Sequence, residues 1–285
     1  MTERLAEISA RIDGVEKLGS VVNAMRGIAA ARSRQAQAEL AAVDGYAGAI
    51  RSAIGRVLPM VPPSNAASKT EPRRAIVVFL AEEGFVANFS EKILEVLFRA
   101  PRPEVLFMVG TRGCALARER GLAPAWQAAM PARTQSIPKL SDELAARIYQ
   151  DVANGSIDEL GVLNATVGEA GVIEALQTPL LPFDSSAMRD GSNGEPLLQI
   201  APADLLTKLA GEYLHAQLCQ AALHAFVAEN QARMQAMART HGQVDRMLEM
   251  LKVRQRIVRQ DEITAEIIEL AAGETANREA ARHGR

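Results

Sequence analysis

Apolar residues follow one another at alternating steps of three and four along the first sixty residues. The seam begins at Leu5 and ends at Val57, and only Gly19, Arg26 and Ser33 interrupt it. Its members are Leu5, Ile8, Ile12, Val15, Val22, Ala29, Ala36, Leu40, Val43, Ala47, Ile50, Ile54 and Val57. Heptad spacing sustained over such a length is typical of a coiled coil. The pattern predicts one helix of about 80 Å, which has to pack along a partner helix.

The C-terminal third carries a second long helical pattern. An apolar stripe recurs every seven residues in its later half, and a separate apolar set covers the earlier half: Met237, Val244, Leu251, Val258 and Ala265, then Leu205, Leu209, Tyr213, Ala216, Leu223 and Phe226. No proline interrupts residues 203–272, so we expect a single helix there. Gly211 and Gly242 are candidate bends. Gly273 is the predicted helix stop, with a frayed polar tail after it.

The middle of the chain, residues 61–201, has a different pattern. A proline-rich linker follows Pro62, and short apolar runs typical of buried strands come after it, at 75–81, 104–110 and 160–166, with a weaker run at 172–178. Helical stretches around 87–99 and 139–153 separate the first three runs, and 183–195 is predicted as a loop. Strands that alternate with helices in this way predict a right-handed parallel α/β unit.

These patterns together predict the fold class. We expect an α/β, Rossmann-like insert (61–201) between two helical ends, 1–60 and 202–285. Because the insert acts as a hairpin turn, the N- and C-terminal helices are predicted to pair as a long antiparallel two-helix coiled coil.

The composition narrows the functional classes. A net charge of -2 argues against a broad nucleic-acid-binding face, which needs concentrated Lys and Arg. The two cysteines, Cys114 and Cys219, are too few for a disulfide framework or a cysteine metal cluster, and they favour a reducing compartment. No apolar run approaches the roughly 18 residues of a membrane span, and the opening MTERLAEI does not resemble a signal peptide.

The inventory of catalytic side chains is poor. The histidines form no HExxH motif or other metal spacing, so surface or packing roles are predicted for all four: His215, His224, His241 and His283. The glycine turn at 109–114 lacks a phosphate-binding pattern. Glu82 and Glu83 follow the first predicted strand, where they are either a paired acid–base or metal site or, as is commoner, solvated loop acids. We therefore predict no catalytic residue, no cofactor and no metal.

Three further sets of residues have both a structural and a functional interpretation. Cys114 is either a thiol activated by Arg112 and Arg118 or, more commonly, a buried inert one, and Cys219 is predicted to pack. Met234, Met237, Met247 and Met250 are either core residues or an adaptable surface. The basic run at 252–259 is either a solvated face or a contact for acidic protein loops.

Three stretches carry a family signature. Residues 11–37, 195–221 and 228–276 resemble the first helix, the return segment and the C-terminal helix of the gamma subunit of F-type ATP synthases. The matching residues include Ala24-Met25, Ala29-Ala30, Ala36-Gln37, Ala232-Arg233, Ala236-Met237, Arg259-Gln260, Ile263-Thr264, Glu266 and Gly273. The RQxxIT run at 259–264 is the most specific part.

The chain also departs from the family pattern. Asn23 stands where the family has lysine, Gly27 follows Arg26 where the family continues Met-Val, and GFVANF at 84–89 replaces Gly-Leu-Cys-Gly-Gly-Leu. In the long helix, the family's Asp-Asn-Ala is GQV at 242–244, and its asparagine three residues before Arg259 is Arg256. The departures indicate a divergent bacterial member, of either a housekeeping or an alternate, sodium-type ATPase.

The resemblance implies a mechanical role. The chain would be the central-stalk rotor inside a ring of three alpha and three beta subunits, with its insert bound to the epsilon subunit and the membrane c-ring, at the cytoplasmic face of the bacterial inner membrane. ATP chemistry would occur on beta. The resemblance further implies that Arg259, Gln260 and Thr264 contact the alpha/beta catch region and that Met25 faces a moving beta loop, with Glu266 a further partner contact.

Two other functional classes are compatible with the sequence. One is a non-rotary coiled-coil scaffold or adaptor with an α/β domain, which would not need the RQDEIT run. The other is an α/β enzyme with helical extensions, which requires a catalytic constellation that the sequence does not display. The choice between proton and sodium coupling is open too, because the ion site would lie on other subunits.

Overall fold

The computed structural model describes residues 2–62, 72–183 and 197–283. Most of the predicted linker and most of the predicted loop at 183–195 lie outside these residues. The chain forms two compact units, Met1–Gly27 with Met237–Arg285, and Ile28–Ala236. Two long helices, α1 (Thr2–Val57) and α5 (Pro202–His283), contribute segments to both units.

The first unit is a pair of helical segments packed along an apolar seam. Ile8, Ile12 and Val258 are buried there, and Leu5, Leu248 and Leu251 pack against them. Polar contacts give the direction of the pair: Gln255 Nε2 lies 2.9 Å from Ser9 Oγ, and Lys252 Nζ lies 2.9 Å from Glu16 Oε1. Residue numbers rise along α1 as they fall along α5, which confirms the predicted antiparallel pairing.

The two long helices begin and end close to where the heptad patterns predict, with one exception. The helix α5 runs through Gly273 and reaches His283, so the predicted stop at Gly273 is wrong. A glycine inside a helix is unfavourable by only about 1 kcal/mol relative to alanine. The residues after it contain three alanines and no proline, so the helix can continue.

The second unit contains a five-stranded mixed sheet. Its strands are β1 (Arg74–Phe79), β2 (Val105–Val109), β3 (Trp126–Ala128), β4 (Glu159–Val167) and β5 (Ile173–Leu181), in the order β3-β2-β1-β4-β5. The first four are parallel, whereas β5 pairs antiparallel with β4. The chain between β4 and β5 is too short for the crossover that a parallel pair needs. The predicted parallel unit is thus confirmed for its three strong runs, and the weak fourth run closes the sheet as a hairpin.

Three short helices connect the strands: α2 (Phe89–Arg99), α3 (Thr111–Glu119) and α4 (Ile137–Ala153). Alternate residues of β1 face two cores, because successive side chains of a strand point to opposite faces. Ala75, Val77 and Phe79 pack with α4 and α5, while Ile76, Val78 and Leu80 pack with α2 and α3.

The helix α3 and the strand β3 are absent from the sequence prediction, which gave residues 109–114 as a turn. Gly113 lies inside α3, and a Cβ atom there would come within 2.2 Å of the Leu80 Cβ atom. The glycine is therefore needed for the close approach of α3 to the end of β1, and it does not break the helix. The strand β3 has only three residues and no apolar run to reveal it.

Candidate functional site

Two surfaces hold the residues that the sequence suggested for function. The first is the loop after β1 (residues 80–88), which contains Glu82 and Glu83. The second is the exposed side of the helical pair in the first unit, which contains the five predicted partner-contact residues.

Glu82 binds backbone donors and is not a solvated acid. One carboxylate oxygen accepts the Thr111 N–H at 2.8 Å and the Met130 N–H at 2.8 Å, and the other accepts the Thr111 hydroxyl at 2.8 Å. Negative charge at the first residue of α3 is favourable because of unpaired N–H groups there. Glu82 therefore ties the start of α3 and the segment after β3 to the end of β1.

Glu83 faces different partners. Its carboxylate lies 3.6 Å from Arg32 Nη1 and 3.8 Å from Arg233 Nη2, and the side chain is half-exposed. The two glutamates do not converge on one point, so they do not form the paired acid–base or metal site that was one interpretation of the sequence. Among the described residues, no group of three potential metal ligands lies close enough to hold an ion.

A buried ion pair on α5 lies against the same loop. Glu229 and Arg233 are 4% and 5% exposed, and Arg233 Nη2 donates to Glu229 Oε1 at 2.6 Å. Glu229 accepts the backbone N–H groups of Glu82 and Glu83 at 3.2 and 3.1 Å, and Arg233 Nε donates to the Gly84 carbonyl at 3.2 Å. Burial raises the pKa of Glu229, while the guanidinium of Arg233 and the two N–H groups oppose that rise.

Sequence reasoning missed this pair as a site. The family resemblance includes Arg233 but implies no role for it, and no sequence pattern singles out Glu229. The available signal is a Glu and an Arg four residues apart in an alanine-rich stretch, since such a pair shares one helix face.

The cysteines and histidines of the second unit have packing and pairing roles. Burial raises the pKa of Cys114 and outweighs the opposing effect of Arg118, so the activated-thiol interpretation is wrong. Cys219 is buried with a raised pKa, and its Sγ lies 3.4 Å from His215 Nε2. His215 Nδ1 pairs with Asp142 at 2.9 Å. Burial lowers the pKa of His224.

The methionines and the remaining histidines divide by position. Met237 is buried, whereas Met247 and Met250 are exposed. His241 lies 2.9 Å from Asp245 one turn further along α5. The side chain of His283 lies outside the described residues.

The predicted partner-contact residues lie on the surface of the first unit. Arg259, Gln260, Thr264 and Glu266 are exposed, and Met25 is half-buried. The Thr264 hydroxyl donates to the Gln260 carbonyl at 2.8 Å. Large aliphatic side chains are exposed around them: Val253, Ile257, Ile263, Ile267, Ile268 and Leu270. Such a density of exposed aliphatic residues marks a surface that another protein covers.

The two stripes of this surface mix polar and aliphatic groups. Residues three or four apart share a helix face, so Arg259 lies on a stripe with Ile263, Glu266 and Leu270, and Gln260 lies on the next stripe with Thr264 and Ile267 or Ile268. We call the exposed side of residues 257–270 of α5 the distal face.

No helix in the described ranges is long and apolar enough to cross a membrane.

Comparisons with known proteins agree with the resemblance. The family model described as ATP synthase matches residues 4–276. The ATP synthase gamma chain of Moorella thermoacetica is 26% identical over 95% of this chain and 98% of its own length. That of Streptomyces coelicolor is 26% identical over 97% of both chains.

Solved structures share the fold. A chain of the Euglena gracilis mitochondrial ATP synthase, in rotational state 3, superposes with a TM-score of 0.63 at 13% identity, over 97% of this chain and 95% of that one. A rotor chain of the same enzyme in rotational state 1 gives a TM-score of 0.61 at 12% identity, over 92% of this chain and 100% of that one.

Proposed function

The chain belongs to the ATP synthase family, and we propose that it works as the gamma-type rotor of the central stalk. In this role it is a non-catalytic subunit that couples ion flow through a membrane ring to ATP synthesis or hydrolysis in a catalytic head. Its partners are the alpha and beta subunits of that head, the epsilon subunit and the c-ring. It is associated with the membrane through the complex, at the cytoplasmic face of the bacterial inner membrane.

The distal face of α5 is the observation that carries this proposal. Ile267, Ile268 and Leu270 are 60–69% exposed. Full burial of each side chain in an apolar site would be favourable by about 1.5–3 kcal/mol. In a monomer these exposed aliphatic side chains at the end of a helix would stabilise nothing. A surrounding ring of subunits would cover these side chains, which the seam between the two helices leaves exposed.

Polar groups on the same face suit contacts that form and break. Arg259 presents a planar donor fork that fits carboxylates, and the Gln260 amide both donates and accepts. The two residues point about 100° apart, so they reach different subunits of the ring. We assign Arg259, Gln260, Thr264 and Glu266 to contacts with the head, and Met25 to a contact with a moving beta loop.

The helical ends and the insert have different partners. In this proposal the helical segments of 1–60 and 202–285 serve the head, and the insert at 61–201 serves epsilon and the c-ring. Each rotor angle favours a different conformation in each catalytic subunit, so rotation is linked to nucleotide affinity.

Co-expression tests the proposal. The chain, produced with the alpha- and beta-type subunits of its own source, should co-purify with both and should show ATP turnover only in the complex. Replacing Ile267 and Leu270 by aspartate should abolish the co-purification. The matched control is Leu176→Asp, which places the same charge on an exposed leucine of β5 and should leave assembly with the head intact. Turnover by the purified chain alone, or purification free of both subunits, would overturn the rotor assignment.

A further inference from the structure

The crevice at the carboxyl ends of β1 and β4 is the place where an open α/β sheet binds its ligand. The strand order reverses between these two strands, because the chain leaves β1 toward β2 on one side and returns to β4 on the other. In such sheets ligands bind outside the carboxyl ends at this switch point. In this chain α5 lies there: Gln235 Nε2 donates to the Gly171 carbonyl, which follows β4, at 2.8 Å.

The loop after β1 offers backbone donors in this crevice. The successive N–H groups of Glu82 and Glu83 point at the two carboxylate oxygens of Glu229, at 3.2 and 3.1 Å. Successive N–H groups that converge on one point form an anion-binding concavity, as in phosphate-binding loops. The anion present is a side chain of the same protein.

We propose that the loop after β1 is an anion-binding site and that the Glu229 carboxylate is its resident, internal ligand. Arg233 acts as the counter-ion of this ligand and also donates to the Gly84 carbonyl at 3.2 Å, so it closes the site from the helix side. The Glu83 carboxylate lies 3.6 Å from Arg32 Nη1 of α1. This second pair leaves two carboxylates and two guanidinium groups around the loop, so their charges balance.

The internal ligand has a structural consequence for α5. The face of α5 that packs in this unit is rich in small side chains: Ala221, Ala222, Ala225, Ala228 and Ala232 are all buried. Larger side chains of the same helix are buried with them, among them Leu218, Leu223 and Phe226. The Glu229 carboxylate can meet both N–H groups in one register only, and setting register is the best-attested role of buried polar groups. The site that would hold a nucleotide phosphate in another α/β protein therefore holds the long helix here.

Rescue by an added anion tests the proposal on the full-length chain. Glu229→Ala empties the site and should lower the unfolding temperature by roughly 10 °C. Acetate, the carboxylate without its side chain, should restore part of this loss with a saturable dependence that chloride at equal ionic strength does not give. Glu229→Gln should not respond, because its amide fills the space. Leu218→Ala, a cavity at another buried position of α5, is the matched control and should lose stability without any response to acetate.

Hydrogen exchange provides a second measurement where Glu229→Ala does not fold. In Glu229→Gln the backbone amides of Glu82 and Glu83 should exchange about tenfold faster. The Gly113 amide, which donates to the Ala81 carbonyl at 2.8 Å, should keep its protection. Equal effects of acetate and chloride on Glu229→Ala, an unfolding temperature that Glu229→Ala leaves unchanged, or unchanged exchange at residues 82 and 83 would each overturn the proposal. None of these outcomes depends on the rotor assignment.

Discussion

At the scale of single residues, neighbouring donors decide what a carboxylate does. Glu82 and Glu83 are adjacent and follow the same strand, yet one binds backbone N–H groups and the other faces two arginines. A carboxylate that accepts several N–H bonds is fixed in place, because each donor would be left unsatisfied without it. Glu82 is therefore a structural residue, although its position after β1 is one at which enzymes often carry catalytic groups.

Glu82→Gln should destabilise the protein by about 1.5–3 kcal/mol, because the amide loses the charge that strengthens its bonds to Thr111 and Met130. Urea unfolding of the purified chain measures this loss. The matched control, Glu83→Gln, alters a half-exposed side chain and should stay within about 0.5 kcal/mol of the parent. Equal losses in the two variants would contradict the role given to Glu82.

Arg259 and Gln260 should matter for function and not for folding. Both side chains are exposed, so the double alanine variant should unfold within about 0.5 kcal/mol of the parent. In the assembled complex the same variant should impair ATP turnover or its coupling to ion transport. Arg239→Ala, an exposed arginine outside the distal face, is the control and should leave both activities unchanged. Normal turnover and normal pumping by the double variant would remove the two residues from the mechanism.

At the scale of elements, two glycines inside helices should respond to alanine in opposite directions. Gly113→Ala should destabilise by at least about 2 kcal/mol, because the new Cβ atom would lie 2.2 Å from the Leu80 Cβ atom and 3.1 Å from the Ala81 nitrogen. Gly242→Ala meets nothing within 4 Å and should stabilise by about 0.5–1 kcal/mol. Thermal unfolding of the two variants tests both signs, and a loss of stability at Gly242 would show that its helix needs the glycine.

The elements that periodicity predicts are the long ones. A heptad seam repeats the same signal many times, so α1 and most of α5 follow from the sequence, as do the three strands with continuous apolar runs. The strand β3 is too short to repeat any signal, and the start of α3 lies between Gly110 and Gly113, a glycine pattern that resembles a turn. The helix α5 extends beyond Gly273 because a glycine inside a helix is unfavourable by only about 1 kcal/mol relative to alanine. A single glycine therefore does not determine where the helix ends.

The sequence gives even less information about the loop after β1. Its two glutamates stand out because they are adjacent to a strand, but their roles depend on partners far away in the chain. These are Thr111 and Met130 for Glu82, and Arg32 and Arg233 for Glu83. The burial of Glu229 depends on where α5 crosses the sheet, which no local pattern specifies. Only the spacing of Glu229 and Arg233 on one helix face can be recognised in the sequence, and solvated helices use the same spacing for exposed ion pairs.

At the scale of the whole molecule, the symmetry of the helical pair bears on the proposed rotor. Two antiparallel helices with different side chains have no three-fold axis, whereas a head of three alpha and three beta subunits has an approximate one. A single copy of the chain therefore presents a different surface to each beta subunit. The three catalytic sites can differ in nucleotide affinity for this reason alone, without any difference in their own sequence.

Removing the chain should accordingly make the three sites equivalent. In the complete head, titration with a fluorescent nucleotide should resolve sites whose affinities differ by about 5–150-fold, the usual range of a coupling free energy of 1–3 kcal/mol. The head assembled from alpha and beta subunits alone should bind with one affinity. In the double alanine variant of Arg259 and Gln260, the three sites should differ less in nucleotide affinity, because two of the contacts that distinguish the beta subunits are lost. Unequal sites in the head without the chain would place the asymmetry in the ring itself, and equal sites in the complete head would contradict a rotor that biases them one by one.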